Sequence, residues 1–568
     1  MAHPAAHGLT PDPFGTAALR EGVLAAWRGS PTRFREDANA ESDLALVGYA
    51  DRLLVELAQN AADAAQRAEV PGHLRVAVHT VDGGHELRAA NTGAPLDGAG
   101  VAALAALRAS AKRGARGSVG RFGVGFAAVL GVSDAPTVVS TSGGVSFSAE
   151  RTARAVAGDP PLRAELHRRG GRPPVLRLVW PAEDAPPPPS GFDTEVRLPL
   201  RRGVDPVALL DAFGDEAADL LLALPWLRQI DIGDRVLCRE DGDPVLVHDG
   251  PEVRRWRVVR KAGLLPSQAL SGLGAEARPE WSLCWALPVD RDGVPLPLNG
   301  EVLHAPTPTA ERLTLPARLI GTVPVDASRR HVHPGPAADL LLGLAARAYP
   351  ELADAVAPQQ RTALVPQPGF PAGEVDAALR DAVLDALRHD PWLPAAAGGP
   401  LCPADALVLD VPLPELAVVL ADVAPHLLDA ELAAPRHSAA LAALGVTRLR
   451  PAAIAELLAG LDRTPSWWRA CYAALAPLLD ADPAAREELG ALPVPLADGR
   501  TVTGPRGVLL GSADIGDLGA AAVGDAERVP VSTGLRLVHP DASHPLLERL
   551  GARQVGAAEL LDALRPAV

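Results

Sequence analysis

The chain has 568 residues, 48% of them hydrophobic, enough for about three to four domains with buried cores. Its 69 acidic side chains outnumber 54 basic ones, and the net charge of −15 argues against a nucleic-acid-binding body, whose usual footprint is basic. Four cysteines (Cys238, Cys284, Cys402, Cys471) lie far apart without paired spacing, which fits reduced thiols in a cytoplasmic protein rather than a zinc site or a disulfide framework. No apolar run of about 18 residues predicts a membrane span. The excess of Arg, Ala, Pro and Gly is associated with a GC-rich, bacterial coding sequence.

Residues 1–15 lack a charged start and an apolar middle, so they read as a flexible tail rather than a signal peptide. From 16 to 205 the pattern predicts helices at 16–28, 43–69, 97–108 and 122–131. Strands are expected near 74–80, 86–91, 136–141, 144–149, 174–180 and 193–200. This is an α+β sandwich, with helices on one face of a mostly antiparallel sheet. Pro186 to Pro189 form a stiff loop before the last strand. A helix at 205–225 opens a second α/β region, 206–356, with strands at 228–233, 252–260, 280–287 and 317–324 and a closing helix at 336–349. The Pro-rich stretch 357–372 reads as a linker. Beyond it, 373–568 reads as mostly helical, in two related modules (373–470 and 471–568). Leu393-Pro394 through Leu409 resembles Leu492-Pro493 through Leu510, and Leu444-Gly445-Val446 resembles Leu550-Gly551-Ala552. Repetition on that scale suggests stacked modules presenting a surface to a protein partner.

Three segments carry chemistry. In the Asp43–Glu69 helix, Glu56, Asn60, Asp63 and Arg67 fall within roughly 60° on one face, while Leu53, Leu54, Leu57, Ala61, Ala64 and Ala65 fill the others. Two carboxylates, an amide and a guanidinium in one row can activate water, hold a metal and touch a phosphate. Residues 85–96 predict a strand ending in an Asn91-Thr92-Gly93 turn. Residues 118–130 place Gly120, Gly123 and Gly125 at the mouth of an apolar helix, where backbone N–H groups can approach phosphates. The Rossmann order is missing around these glycines, and no P-loop run exists anywhere in the chain.

Together and in this order, the three segments resemble the nucleotide-binding domain of the GHKL ATPases. Gly120-Arg121-Phe122-Gly123-Val124-Gly125-Phe126 is nearly the glycine box of the ninety-kilodalton heat-shock chaperones. Ser110-Ala111-Lys112-Arg113-Gly114, that box, and Val132-Ser133-Asp134-Ala135-Pro136 are similar to sacsin-type proteins. The resemblance covers residues 16–200 well and 206–356 loosely. It implies a GHKL (Bergerat-type) fold binding ATP and Mg²⁺. Glu56 takes the position of the general base, and Asn60 that of the Mg²⁺ ligand. Asp63 and Arg67 match pocket positions near the sugar and α-phosphate, and Lys112 matches the lid lysine. Gly120, Phe122, Gly123, Val124, Gly125 and Phe126 match the phosphate-facing turn. Asn91, Gly93 and Thr194 match the adenine end. The family normally has Asp where this chain has Asn91; the amide can still accept from an adenine amino group, without charge assistance.

In the second region, Pro324-Val325-Asp326-Ala327-Ser328-Arg329-Arg330 is similar to the chaperones' middle-domain loop, and Arg329 takes the position of the arginine that reaches the γ-phosphate. The resemblance implies a slow Mg-dependent ATPase of chaperone type. Its lid (108–119) and middle domain would close on ATP and regulate binding of a protein partner. A nucleotide-sensing module without turnover is the alternative. A histidine kinase would need a His-bearing dimerisation helix, where the N-terminal region offers only His3 and His7. A DNA-acting ATPase would need a basic domain.

Overall fold

The computed structural model describes residues 12–46, 53–81, 83–105, 125–271, 273, 279–305, 308–326, 330–481, 483–511 and 535–556. The expected mixture of helices and strands is present. The chain divides into two compact units, Met1–Ala348 with Pro371–Leu379, and Tyr349–Phe370 with Arg380–Val568. No helix among the described residues is long and apolar enough to cross a membrane.

In the first unit the helices are α1 (Thr16–Gly29), α2 (Pro31–Leu46), α3 (Leu53–Ala68), α4 (Gly98–Leu104), α5 (Ala149–Ala157), α6 (Pro160–Arg168), α7 (Pro206–Ala223) and α8 (Pro336–Ala348). The strands are β1 (Gly72–Val81), β2 (Gly84–Asn91), β3 (Thr137–Ser140), β4 (Gly143–Ser146), β5 (Trp180–Pro181), β6 (Thr194–Pro199) and β7 (Leu227–Ile232). They continue with β8 (Arg235–Glu240), β9 (Val245–Asp249), β10 (Glu252–Leu264), β11 (Glu280–Val289), β12 (Glu301–His304), β13 (Pro308–Leu313) and β14 (Arg318–Gly321). All fourteen strands belong to one sheet, ordered β13-β12-β14-β11-β10-β9-β8-β7-β1-β2-β6-β3-β4-β5.

The sheet follows from alternation. On β1, Leu74 and Val76 are buried while His73, Arg75 and Ala77 between them are half-buried. The buried side meets α3, whose Leu53, Leu54, Leu57, Ala58, Ala61 and Ala65 are buried in turn. β2 and β6 flank β1 in antiparallel register, which sets Asn91 opposite Thr194. On the other side β1 pairs in parallel with β7. Gly72 permits this junction: its N–H donates to the Trp226 carbonyl (2.8 Å), and a Cβ on residue 72 would lie 2.7 Å from that oxygen.

The boundary expected at 205–206 therefore falls inside one sheet. It also falls inside one core, because Leu57, Val76 and Leu198 share a buried cluster with Phe213, Leu221, Trp256 and Ile320. The β1–β7 seam joins the described residues of 16–348 in a single packed body where two domains were expected. Asp205 caps α7 by accepting from the N–H groups of Val207 and Ala208 (2.9 and 3.3 Å), and Pro206 occupies the first turn, where its missing N–H costs nothing.

Other departures have local causes. Of the helix expected over 43–69, the described residues are helical to Leu46 in α2 and over Leu53–Ala68 in α3, and 47–52 lie outside the described residues. The strand expected at 174–180 is reduced to Trp180–Pro181. The N–H groups of Val175 and Leu176 instead donate to the buried Glu41 carboxylate (2.5 and 2.9 Å). Residues 125–131 form a 3₁₀ rather than an α-helix. The supposed linker also contains structure: Pro358–Leu364 is a 3₁₀ helix with Thr362 and Leu364 buried, and the Tyr349 hydroxyl donates to the Leu364 carbonyl (2.8 Å).

The second unit repeats a hydrogen-bond pattern. Leu393–Pro394 pairs with Pro400–Leu401, and Leu407–Leu409 runs parallel to Thr447–Leu449. Pro493–Pro495 pairs likewise with Thr501–Thr503, and Leu509–Gly511 runs parallel to Arg553–Val555. The connecting bonds recur too: Ala396 N–H donates to Leu427 O as Ala497 N–H does to Leu537 O, and Asp429 N–H to Pro394 O as His539 N–H to Pro495 O.

Candidate functional site

A cleft opens in the first unit between α3, the end of β2, α4, β3 and β6. Its wall is mostly apolar, from Ala64, Ala94, Leu96, Leu104, Phe126, Val138 and Val196, with polar groups from Asn60, Arg67, Asn91, Asp97 and Thr194. An apolar slot with a few convergent polar groups is the usual form of a small-molecule site.

Five residues singled out in the sequence line this cleft: Asn60, Arg67, Asn91, Phe126 and Thr194. They come from four separate stretches of chain, brought together by the helix period of α3 and the register of β2 with β6. Glu56 and Asp63 do not line it. At 100° per residue both project to one flank of the Asn60–Ala64–Arg67 face. Glu56 is only 7% exposed, and burial, helped by the negative charge of Asp63, raises its carboxyl from 4.5 to about 7. A buried carboxyl poised near neutrality is suited to proton transfer.

At the other end, Asn91 is buried in the floor of the cleft. Its Nδ2 donates to the Thr92 carbonyl (3.1 Å), leaving Oδ1 as the side chain's acceptor. The Asn91–Gly93 turn meets α3 directly. Ala94 N–H donates to the Ala64 carbonyl (2.9 Å), and a Cβ at residue 93 would lie 2.4 Å from the Ala64 carbonyl carbon. Gly93, at φ 125°, is there because only glycine allows that approach and that backbone angle. The turn is also tied to β1, where Thr92 N–H donates to His73 O (3.1 Å) and His73 N–H to Thr92 Oγ1 (3.0 Å).

Sequence reading missed Asp97, which lines the cleft while capping α4 through Gly100 N–H (2.7 Å). The Asp97-Gly98-Ala99-Gly100 run before an apolar stretch is a capping signal that could have found it. Val196 could have been found by alternation from Thr194. Lys112, Gly120, Phe122, Gly123 and Val124 lie outside the described residues. So do the lid segment 108–119 and Arg329; Gly125 begins the 3₁₀ helix that carries Phe126.

The segment leading to Arg329 is described. Asp326 N–H donates to His331 O (2.9 Å), Asp326 Oδ1 accepts from Arg330 N–H (3.1 Å), and Val325 bridges Val332. It follows β14, seven strand positions from β2, roughly 33 Å counted along the sheet.

Among the described residues no cluster of three or more His, Cys, Asp or Glu side chains is placed to hold a metal ion. Asn60 offers one amide oxygen, a donor that fits Mg²⁺ completing its shell with phosphate and water oxygens. No protein-family model matches the chain, and no curated protein matches it.

Proposed function

We propose that the cleft binds ATP together with Mg²⁺, and that the protein is a slow GHKL-type ATPase related to the sacsin-like and heat-shock-chaperone branches. The observation that carries this reading is the convergence of Asn60, Arg67, Asn91, Phe126 and Thr194, from four stretches of sequence, on one cleft. The base would lie in the apolar slot beside Phe126 and Val196, with its amino group against Asn91 Oδ1 and the Thr194 hydroxyl. Arg67 offers a guanidinium to the phosphates. Bound Mg²⁺ would neutralise phosphate charge, and Asn60 would hold it. Glu56 would take the proton of the attacking water. The repeated modules of the second unit would hold a protein partner, in the cytoplasm.

A nucleotide-sensing module without turnover is the second reading, favoured by the position of Glu56 on the flank of the cleft. Titration with ATP and Mg²⁺, side by side with hydrolysis, separates the two for wild type and Glu56→Ala. The expected outcome is binding retained within a few fold and hydrolysis lowered about 10² to 10⁴-fold in the variant. Binding without turnover in wild type selects the sensor, and no ATP binding at millimolar concentration overturns both.

A further inference from the structure

We propose that Asp193 is a positioning residue of the cleft, whose carboxylate holds the Asn91–Gly93 turn in the geometry that nucleotide binding needs. This rests on the nucleotide reading above. β2 ends at Asn91 and β6 begins at Thr194, so the two cleft-lining polar groups form the last ladder pair, and the chain beyond them, Thr92–Gly93 and Asp193, lies outside the ladder. Asp193 closes that gap. Its N–H donates to the Asn91 carbonyl (3.0 Å), its Oδ2 accepts from Gly93 N–H (2.9 Å), and its own carbonyl accepts from Thr141 N–H (3.0 Å).

One residue thereby joins the turn after β2, the start of β6 and the turn after β3. The main-chain bonds survive any substitution; the bond to Gly93 N–H belongs to the side chain alone. It is charge-assisted, and it acts two residues from the carboxamide of Asn91. The preceding Phe192 is fixed independently. Its ring is buried, with the Arg75 guanidinium 4.4 Å from its centroid and the His73 ring 4.9 Å away. His73 Nε2 in turn lies 2.7 Å from Asp231 Oδ2. Asp193 therefore projects from a firm base, and losing its carboxylate removes the turn's tie at Gly93 without unseating the strand. Asp193 touches no reacting atom, so its effect falls on affinity and leaves turnover at saturation alone.

The test compares Asp193→Ala and Asp193→Asn with wild type in the full chain. Three readouts are taken: ATP affinity, kcat at saturating ATP, and hydrogen exchange at the Gly93 amide without nucleotide. Asp193→Ala should weaken ATP binding about tenfold with kcat within about twofold, and should speed Gly93 exchange about tenfold. Asp193→Asn, whose amide oxygen can still accept from Gly93 N–H, should restore both to within about threefold. Wild-type affinity and wild-type exchange in Asp193→Ala overturn the proposal, as does a loss that Asp193→Asn fails to rescue. If wild type itself binds no ATP, the nucleotide reading falls; exchange at Gly93 then decides the clamp by itself, faster in Asp193→Ala supporting it and unchanged refuting it. Should Asp193→Ala not fold, Asp193→Glu takes its place. Its acceptor is displaced by one methylene, so it should show the same loss, and wild-type behaviour there overturns the clamp.

Discussion

Replacing Glu56 by Gln should raise stability and abolish hydrolysis together. Burial and the charge of Asp63 hold this carboxyl near 7 in the folded chain, against 4.5 ordinarily. Between those values the folded state binds the proton more tightly than the unfolded one, so stability falls as pH rises from 4.5 to 7. Above 7 the cost of a buried, ionised Glu56 is fully present and amounts to about 3 kcal/mol. Glutamine keeps the shape and cannot ionise. Glu56→Gln should therefore be more stable than wild type by up to about 3 kcal/mol at pH 8, a margin that shrinks toward zero by pH 4. Urea unfolding of both proteins at pH 8 and pH 5 measures it. Glu41, also raised to about 7 by its burial, is present in both and cancels in the difference. The catalytic half of the prediction follows from the same ionisation: hydrolysis by wild type at pH 6 should run at about a tenth of its rate at pH 8. A variant no more stable than wild type at pH 8, with a flat wild-type rate profile across this range, would refute the reasoning. Glu56 would then titrate like a solvated carboxylate.

Asn60→Ala should abolish the Mg²⁺ dependence of ATP binding, so that titrations with Mg²⁺ and with chelator converge; a preserved difference would remove Asn60 from the metal. Gly93→Ala should destabilise the first unit by about 3 kcal/mol or more, because its Cβ would overlap the backbone of α3 at a backbone angle that suits glycine. A urea midpoint unchanged by that substitution would mean the turn can withdraw from Ala64.

Much of the candidate cleft was legible in the chain. Asn60 and Arg67 were found from helix periodicity, which fixes a face to within a few tens of degrees, and Asn91 from the turn signal that ends its strand. Periodicity could not separate the groups lining the cleft from those beside it, since Glu56 and Asn60 differ by only about 40°. Elements were missed where a side chain redirected the backbone. The run Val175-Leu176-Arg177-Leu178-Val179 is apolar and short like a buried strand, yet its first two N–H groups are claimed by Glu41, more than 130 residues away in sequence. α5 and α6 follow the caps Ser148 and Asp159, whose side chains accept from Arg151 and Leu162 N–H groups (both 3.2 Å). Those caps are local signals that sequence reading can use. β8 and β9 are short and carry charges on half of their positions or end in them, so neither stands out from a loop. The parallel seam between β1 and β7 joins residues about 150 apart, and no local pattern announces such a pairing.

That seam decides how the protein can be divided. A chain ended near residue 200 would leave Gly72–Val76 without the neighbour that Leu227–Ile232 provides, exposing a row of unanswered N–H and C=O groups on a strand with one apolar face. It would also uncover the surface now lying beneath Phe213, Ala217, Leu220 and Leu221 of α7. Open, apolar edges recruit further strands, so such a fragment is a candidate for aggregation, and its lost activity would carry no information about catalysis. A piece ending with α8 at Ala348 keeps all fourteen strands of the sheet, while keeping the whole first unit also takes in Pro371–Leu379.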